Sequence, residues 1–304
     1  MSKLEPLPPG LPADFRVADA VALGVSRRRL RALSLERPHH GLRVRTSVRS
    51  VMDAAQQFGV LIGDRNVAFS HQTAAYLLGM PLPQTWSPND LLHVMTPNDG
   101  GQVRRDGVKS RRGLEARTTC RVGGLLVTDG PSTWCDLATT LAFDDLVAAG
   151  DWLLRPRSTL TVDDLRRAVR PQVSGRAKLN GSLRWIRPGS ASPRETQTRL
   201  MLVRDGLPEP QLNATLSTPR GWVAVVDFYW DEWKLALDYD GRYHRERAEQ
   251  LEYDIDRARQ IRGEGYRYEQ VTSKHLAGKY PQVLTIVREA LLEAGWTPDH
   301  PTGR

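Results

Sequence analysis

The sequence predicts an α/β protein of more than one domain. Three observations carry this. The chain has 304 residues, more than one small core needs. Apolar residues make up 40% and charged residues 26%, the balance of a globular chain rather than a disordered one. Segments of helical period also alternate with short apolar runs of strand length. The net charge is +8, carried by 43 Lys and Arg against 35 Asp and Glu. Such an excess suits a polyanion, because arginine and lysine displace counterions from phosphate. An Arg-heavy composition with no nucleic-acid role is the plain alternative. Cys120 and Cys135 are too few and too widely spaced for a disulfide framework or a CxxC site. No run reaches the length of a membrane span, and the first residues lack an apolar signal core. A cytoplasmic protein with no membrane partner is expected.

Residues 1–45 predict two short helices and a strand. In "FRVADAVALG", Val17, Ala20, Val21 and Leu23 fall on one side, and Gly24 stops the helix. In "VSRRRLRALSL", Ser26 is the cap and Leu30 and Leu33 are the inner face, while Arg27, Arg28, Arg29 and Arg31 crowd the first turns. "GLRVR" then reads as a strand. Helix, turn, Arg-rich helix and strand outline a winged helix-turn-helix, which would send the second helix into the major groove. A solvated helix pair is the simpler alternative.

Residues 46–155 read as a mixed α/β region. "SVMDAAQQFGVLI" and "HQTAAYLLG" are predicted helices, and "LLHVMTP", "GVKSRR" and "GLLVTDG" predicted strands. Residues 131–155 read as one or two helices, opened by Pro131 and Ser132 and interrupted at Gly150. Residues 156–190, rich in Arg, Pro, Gly and Ser, read as a linker around a short helix at 162–170. This half resembles the AbiEi-type antitoxin and regulator family. The likeness rests on the N-terminal helix pair, on Ser70-His71-Gln72-Thr73-Ala74-Ala75 with Leu78-Gly79, and on Val127-Thr128 with Thr133 and Asp136-Leu137-Ala138. These patterns contain no reactive constellation, and His71 reads as a helix-start or packing residue.

Residues 191–296 carry the chemistry, with 297–304 as a tail. "SPRETQTRLMLVRDG" is a helix capped by Ser192, with Pro193 first and Glu195 third, a capping box. "QLNATLST" and "GWVAVVDFYW" are strands around a turn at Pro219-Arg220-Gly221, and "KLALDYDG" is a third strand. A long helix follows, with Ala248, Leu251, Ile255, Ala258 and Ile261 inward. "YRYEQVT" is a fourth strand, and "YPQVLTIVREALLEAG" the closing helix. Asp227 follows the apolar run 223–226, and Asp238 and Asp240 follow 235–237. Alternation puts Asp238 and Asp240 on one face, and a hairpin would bring Asp227 beside Asp238. Close carboxylates repel unless a proton or cation lies between them, and Mg²⁺ (or Mn²⁺) is the natural partner of such an oxygen cluster. The simpler alternative is that the carboxylates cap strand ends and pair with arginines.

This segment resembles the very-short-patch-repair endonuclease-like branch of the PD-(D/E)XK nuclease superfamily. The matching residues are Glu195, Val226-Asp227-Phe228, Leu237-Asp238-Tyr239-Asp240-Gly241, His244, and Asp254 with Arg257. The resemblance implies a restriction-endonuclease-like domain in which Asp227 and Asp238 bind the metal and Glu195 is a supporting acid. Asp240 stands where the motif has lysine, and His244 is the candidate replacement as proton acceptor. The expected function is a metal-dependent DNA endonuclease, nicking or cutting, in DNA repair or phage defence. Duplex DNA is the expected partner, and a homodimer and a toxin or defence partner stay open. The alternative is a DNA-binding regulator whose nuclease domain is degenerate, and a third reading is an RNA-directed nuclease.

Overall fold

The computed structural model describes residues 6–219, 221–240, 248–278 and 281–298. The chain is mixed α/β and forms two compact units, 1–141 with 167–179 and 142–166 with 180–304.

The first unit begins with β1 (Asp14–Arg16), α1 (Val17–Ala22) and β2 (Leu42–Val44). β1 and β2 pair antiparallel, and Phe15, Ala20, Leu30 and Leu35 fill a small core. The second helix expected over 25–35 does not form. Only a 3₁₀ turn at Arg29–Arg31 is present. Ser26 Oγ does accept from the Arg29 amide. Side chains bond carbonyls of this turn: Arg43 donates to Leu30 O at 2.7 Å and Arg37 to Arg31 O. Crowded like charges work against a helix. Leu33, expected inside, is fully exposed, and Val21 and Leu23 are exposed too. Arg27, Arg28 and Arg31 are exposed and Arg29 half-buried, on a turn rather than a recognition helix.

The rest of this unit contains α2 (Val51–Ile62), β3 (Ala68–Phe69), α3 (His71–Leu78), β4 (Leu92–Thr96), β5 (Val108–Arg112), β6 (Thr119–Val122), β7 (Leu125–Thr128) and α4 (Gly130–Leu137). The Ser50–Asp53 capping box starts α2. The strand order is β5-β4-β3-β7-β6, with β4/β5 and β3/β7 parallel. β3 and β6 are additions to the strands expected from sequence; β3 has two residues, too short for any periodicity.

Residues far apart in the chain converge here. Arg117 donates to Asp136 Oδ1 at 2.8 and 2.6 Å. His71 Nδ1 lies 3.1 Å from Ser70 Oγ and 3.8 Å from Asp136 Oδ2. The Thr128 and Thr133 hydroxyls meet at 2.8 Å, and the His93 amide donates to Thr73 Oγ1. The network ties the starts of α3 and α4 to the sheet. Burial, with Arg111 nearby, lowers His71 to about 3 and His93 to about 4, so both imidazoles are neutral at neutral pH.

After α4 come α5 (Phe143–Leu153), α6 (Val162–Ala168) and α7 (Arg176–Leu183). Gly150 does not interrupt a helix: it lies buried inside α5, and the break falls at 138–142. Residues 156–190 are more than a linker, since Leu165, Leu179 and Ile186 are buried. The second unit continues with α8 (Pro193–Arg204), β8 (Gln211–Thr218), β9 (Gly221–Trp230), β10 (Leu235–Asp240), α9 (Ala248–Gly263), β11 (Arg267–Thr272) and α10 (Gln282–Glu293). The order is β11-β10-β9-β8. β8, β9 and β10 form an antiparallel meander, and β10 and β11 are parallel across α9. A parallel pair needs such a crossover. On one side Phe228, Trp230, Leu235, Leu237 and Val271 pack with Val283 and Val287 of α10. Ala236, Tyr229 and Tyr268 pack with Ile261 of α9. Ile255, expected inward, is exposed. The side chains of Ala248 and Leu251, also expected inward, lie outside the described residues.

Within this unit α5 is bolted to α8 by an ion pair that water does not reach. Arg199 and Asp151 meet at 3.0 Å with both side chains fully buried. Thr196 Oγ1 and the Arg187 amide also donate to Asp151, and Arg199 reaches Glu209 and Trp185 O.

Candidate active site

β9 and β10 pair over Phe228–Trp230 and Leu235–Leu237, with Leu237 opposite Phe228. Asp238 and Asp227 are the next residues out. There, side chains take over from the ladder. The Asp227 amide donates to Asp238 Oδ1 at 3.0 Å, and the Tyr239 amide donates to Asp227 Oδ2 at 2.7 Å. The two carboxylates are therefore neighbours where the strands stop pairing, as their spacing in the sequence predicts.

Asp238 is buried, accepts once more through Oδ2 from Tyr268 Oη at 2.7 Å, and forms an ion pair with Arg257 at 2.9 Å through the same oxygen. Burial, and then the Asp238 charge, push the Tyr268 phenol well up, so it stays a donor. Arg257 also donates to Val225 O. Burial first, and then the Asp238 and Glu195 charges, push the Asp227 carboxyl up to about 7 against the Tyr239 amide and Arg257, which act the other way. Burial is the main reason that Asp227 holds its proton more readily than a free carboxyl.

Glu195 is buried in the first turn of α8. It reaches one residue beyond the expected capping box, accepting from the Ala191 amide at 2.8 Å and from Ser192 Oγ at 2.8 Å. Asn213 Nδ2 donates to Glu195 Oε2 at 2.8 Å and to Gly189 O at 2.7 Å. The β8–β9 register, Leu212↔Phe228 and Ala214↔Val226, sets Asn213 opposite Asp227. Its φ of 47° is left-handed, a conformation that asparagine tolerates well. Sequence reasoning does not single out Asn213 or Tyr268. Asn213 falls on a polar position of the regular alternation in "QLNATLST", and Tyr268 shows only as a polar-tipped aromatic in a parallel strand.

Compared with known proteins, the chain matches no family model and no curated protein sequence.

Asp240 ends β10 in register with Thr272. Its side chain and His244 lie outside the described residues. Among the described residues, no three His, Cys, Asp or Glu side chains are grouped to hold a metal ion. Glu195 is committed to its amide and hydroxyl donors, which leaves the pair Asp227 and Asp238. A pair still fits a hard cation, because Mg²⁺ keeps most of its waters and takes one or two carboxylates plus substrate oxygens. No helix among the described residues is long and apolar enough to cross a membrane.

Proposed function

We propose that the second unit is a metal-dependent nuclease acting on DNA, with Asp227 and Asp238 as the residues that hold Mg²⁺ or Mn²⁺. The observation that carries this is the reciprocal Asp227–Asp238 pair at the point where β9 and β10 part. The element order supports it: helix, meander, crossover helix, parallel strand is the order of a PD-(D/E)XK core. When bound, the ion would lower the pKa of a coordinated water and offset charge on a phosphate. The chain's own residues do the rest. Asp227 and Asp238 supply the negative charge, and Glu195, held by Asn213, supports it from α8. Arg257 brings a guanidinium to the carboxylates from α9, the kind of cation that can pair with a phosphate oxygen. It takes the part that the absent motif lysine leaves open. His244 stays the proposed proton acceptor.

The test is cleavage of duplex, single-stranded and mismatched DNA and of RNA, with Mg²⁺ or Mn²⁺, by the wild type and by Asp227→Asn. Cleavage is expected only with metal and only with Asp227 intact. No cleavage by the wild type on any substrate would overturn the nuclease reading. One observation favours a regulator with an inactive nuclease domain: Arg257 already neutralises Asp238 at 2.9 Å. In that case no divalent ion would bind while Asp227 and Asp238 are intact. The basic turn with Arg27, Arg28, Arg29 and Arg31 is proposed as a phosphate-binding surface in either reading.

A further inference from the structure

β9 outruns its neighbour. Its pairing with β10 covers only Phe228–Trp230, so among the described residues the flank of residues 222–226 on that side carries no strand. A cavity of about 300 Å³ lies there, lined by Trp222, Val223, Ala224 and Val225 of β9 and by Asp256, Arg257 and Gln260 of α9. That is the lower end of the range for small-ligand pockets. Trp222, the second residue of β9, is 68% exposed and Val225 44% exposed. The walls are of two kinds. The indole and Val225 offer flat apolar surface. The Gln260 amide and the Asp256 carboxylate offer hydrogen-bonding groups.

The place of the cavity matters as much as its lining. Side chains two residues apart share a face, so Val225 lies on the face of Asp227, about 7 Å along the strand. Arg257 belongs to both places: it lines the cavity, bonds Val225 O, and pairs with Asp238. A ligand in the cavity would thus be joined to the carboxylates by a cation that suits a phosphate. A ligand with a flat π face, polar edges and a phosphodiester attached is a nucleotide within a strand. A paired base has its edge occupied and its faces stacked, so it fits none of this.

We infer that this cavity takes one unpaired nucleobase, stacked on Trp222, beside the phosphate presented to Asp227 and Asp238. The substrate class is then single-stranded or locally unpaired nucleic acid. The inference rests on the nuclease reading for its polymer.

The experiment separates the two. The full-length chain carrying Asp227→Asn, which is not expected to cut, is titrated in chelator with an oligothymidylate strand, and with the same strand fully paired to its complement. Trp222→Ala is then added, and Trp222→Phe as the conservative control. Stacking on one aromatic makes the expected loss about tenfold or more for the single strand. The paired duplex should lose little, and Trp222→Phe should keep most of the affinity. Equal loss on both forms, or no loss on the single strand, overturns the inference, as does a wild type that binds neither. Cleavage with Mg²⁺ is measured in parallel with Asp227 intact. A Trp222→Ala chain that binds and cuts the single strand normally removes the base pocket and leaves the nuclease standing. A selective loss of binding without any cleavage by the wild type leaves a nucleic-acid-binding pocket and removes the nuclease.

Discussion

At Asn213, one side-chain amide holds Glu195 toward the carboxylate pair while the backbone sits in a left-handed conformation. Asn213→Ala removes two donors from buried or half-buried acceptors and places a poor residue at that φ. A stability loss of about 1–3 kcal/mol is expected, read from the urea midpoint. Asp227→Asn should instead leave stability nearly intact, because an amide oxygen can still accept from Tyr239. His71 and His93 make the residue-scale prediction on pH. Each is lowered in the fold, to about 3 and about 4, from an ordinary value of 6.5. Below pH 6.5 the unfolded chain takes up protons that the folded one does not, so their contribution to stability is lost as pH falls from 6.5 toward 4. Asp136, raised by burial, has the opposite sign, so the test is a difference. His71→Asn accepts the left-handed φ of 52° and removes one of these protons. Unfolding midpoints at pH 7 and pH 5 should drop less for that variant than for the wild type. An equal drop would mean that His71 does not stay neutral in the fold.

Among elements, the packing of α5 on α8 shows what burial does to an ion pair. Arg199→Ala leaves Asp151 enclosed without its cation, so it must either hold an unpaired charge or take up a proton, with only Thr196 and the Arg187 amide as donors. A loss of about 3–5 kcal/mol is expected. The Arg166–Asp163 pair, with both side chains more than 60% exposed, should give less than about 1 kcal/mol on the same change. Similar losses at the two sites would show that Asp151 is hydrated. In the arginine-rich turn at 27–31, Arg27, Arg28 and Arg31 are exposed. If it meets nucleic acid, replacing Arg27, Arg28, Arg29 and Arg31 by Ala should flatten the log–log salt dependence of binding by about 0.9 for each phosphate no longer neutralised. An unchanged slope would move the phosphate-binding surface elsewhere.

On the scale of the whole molecule, the second unit begins earlier than its nuclease-like segment. Residues 142–166 belong to it, and Asp144, Asp145 and Asp151 of α5 bond to Arg204, Gln197 and Arg199 of α8. A fragment starting at 191 strips Arg199 of Asp151 and uncovers one side of α8. A fragment starting at 142 keeps both. The longer fragment should show a cooperative thermal transition, and the shorter should lack one or melt far lower. Comparable transitions would make α5 dispensable and restore residues 156–190 as a plain linker.

Local physics made much of the second unit legible in the sequence. Ser192 and Pro193 mark a helix start and apolar runs end at Asp227 and Asp238, while of the inner face expected for α9 Ile261 is buried and Ile255 exposed. Strand spacing alone implied that the two aspartates would meet, since an antiparallel hairpin aligns the ends of its strands. Where competition between distant groups decides, sequence was silent or misleading. The Ser26 cap and the Leu30 and Leu33 spacing favoured a helix at 25–35, but in the fold Arg43 and Arg37 bond the Leu30 and Arg31 carbonyls. The polar residues at 70–73, 128–136 and 111–117 read as unrelated patterns, and only the sheet order β4-β3-β7 gathers them. Asp151 carries no mark of its partner 48 residues away, and Trp222 reads as an ordinary strand aromatic. Its exposure is not marked in the strand pattern of the sequence.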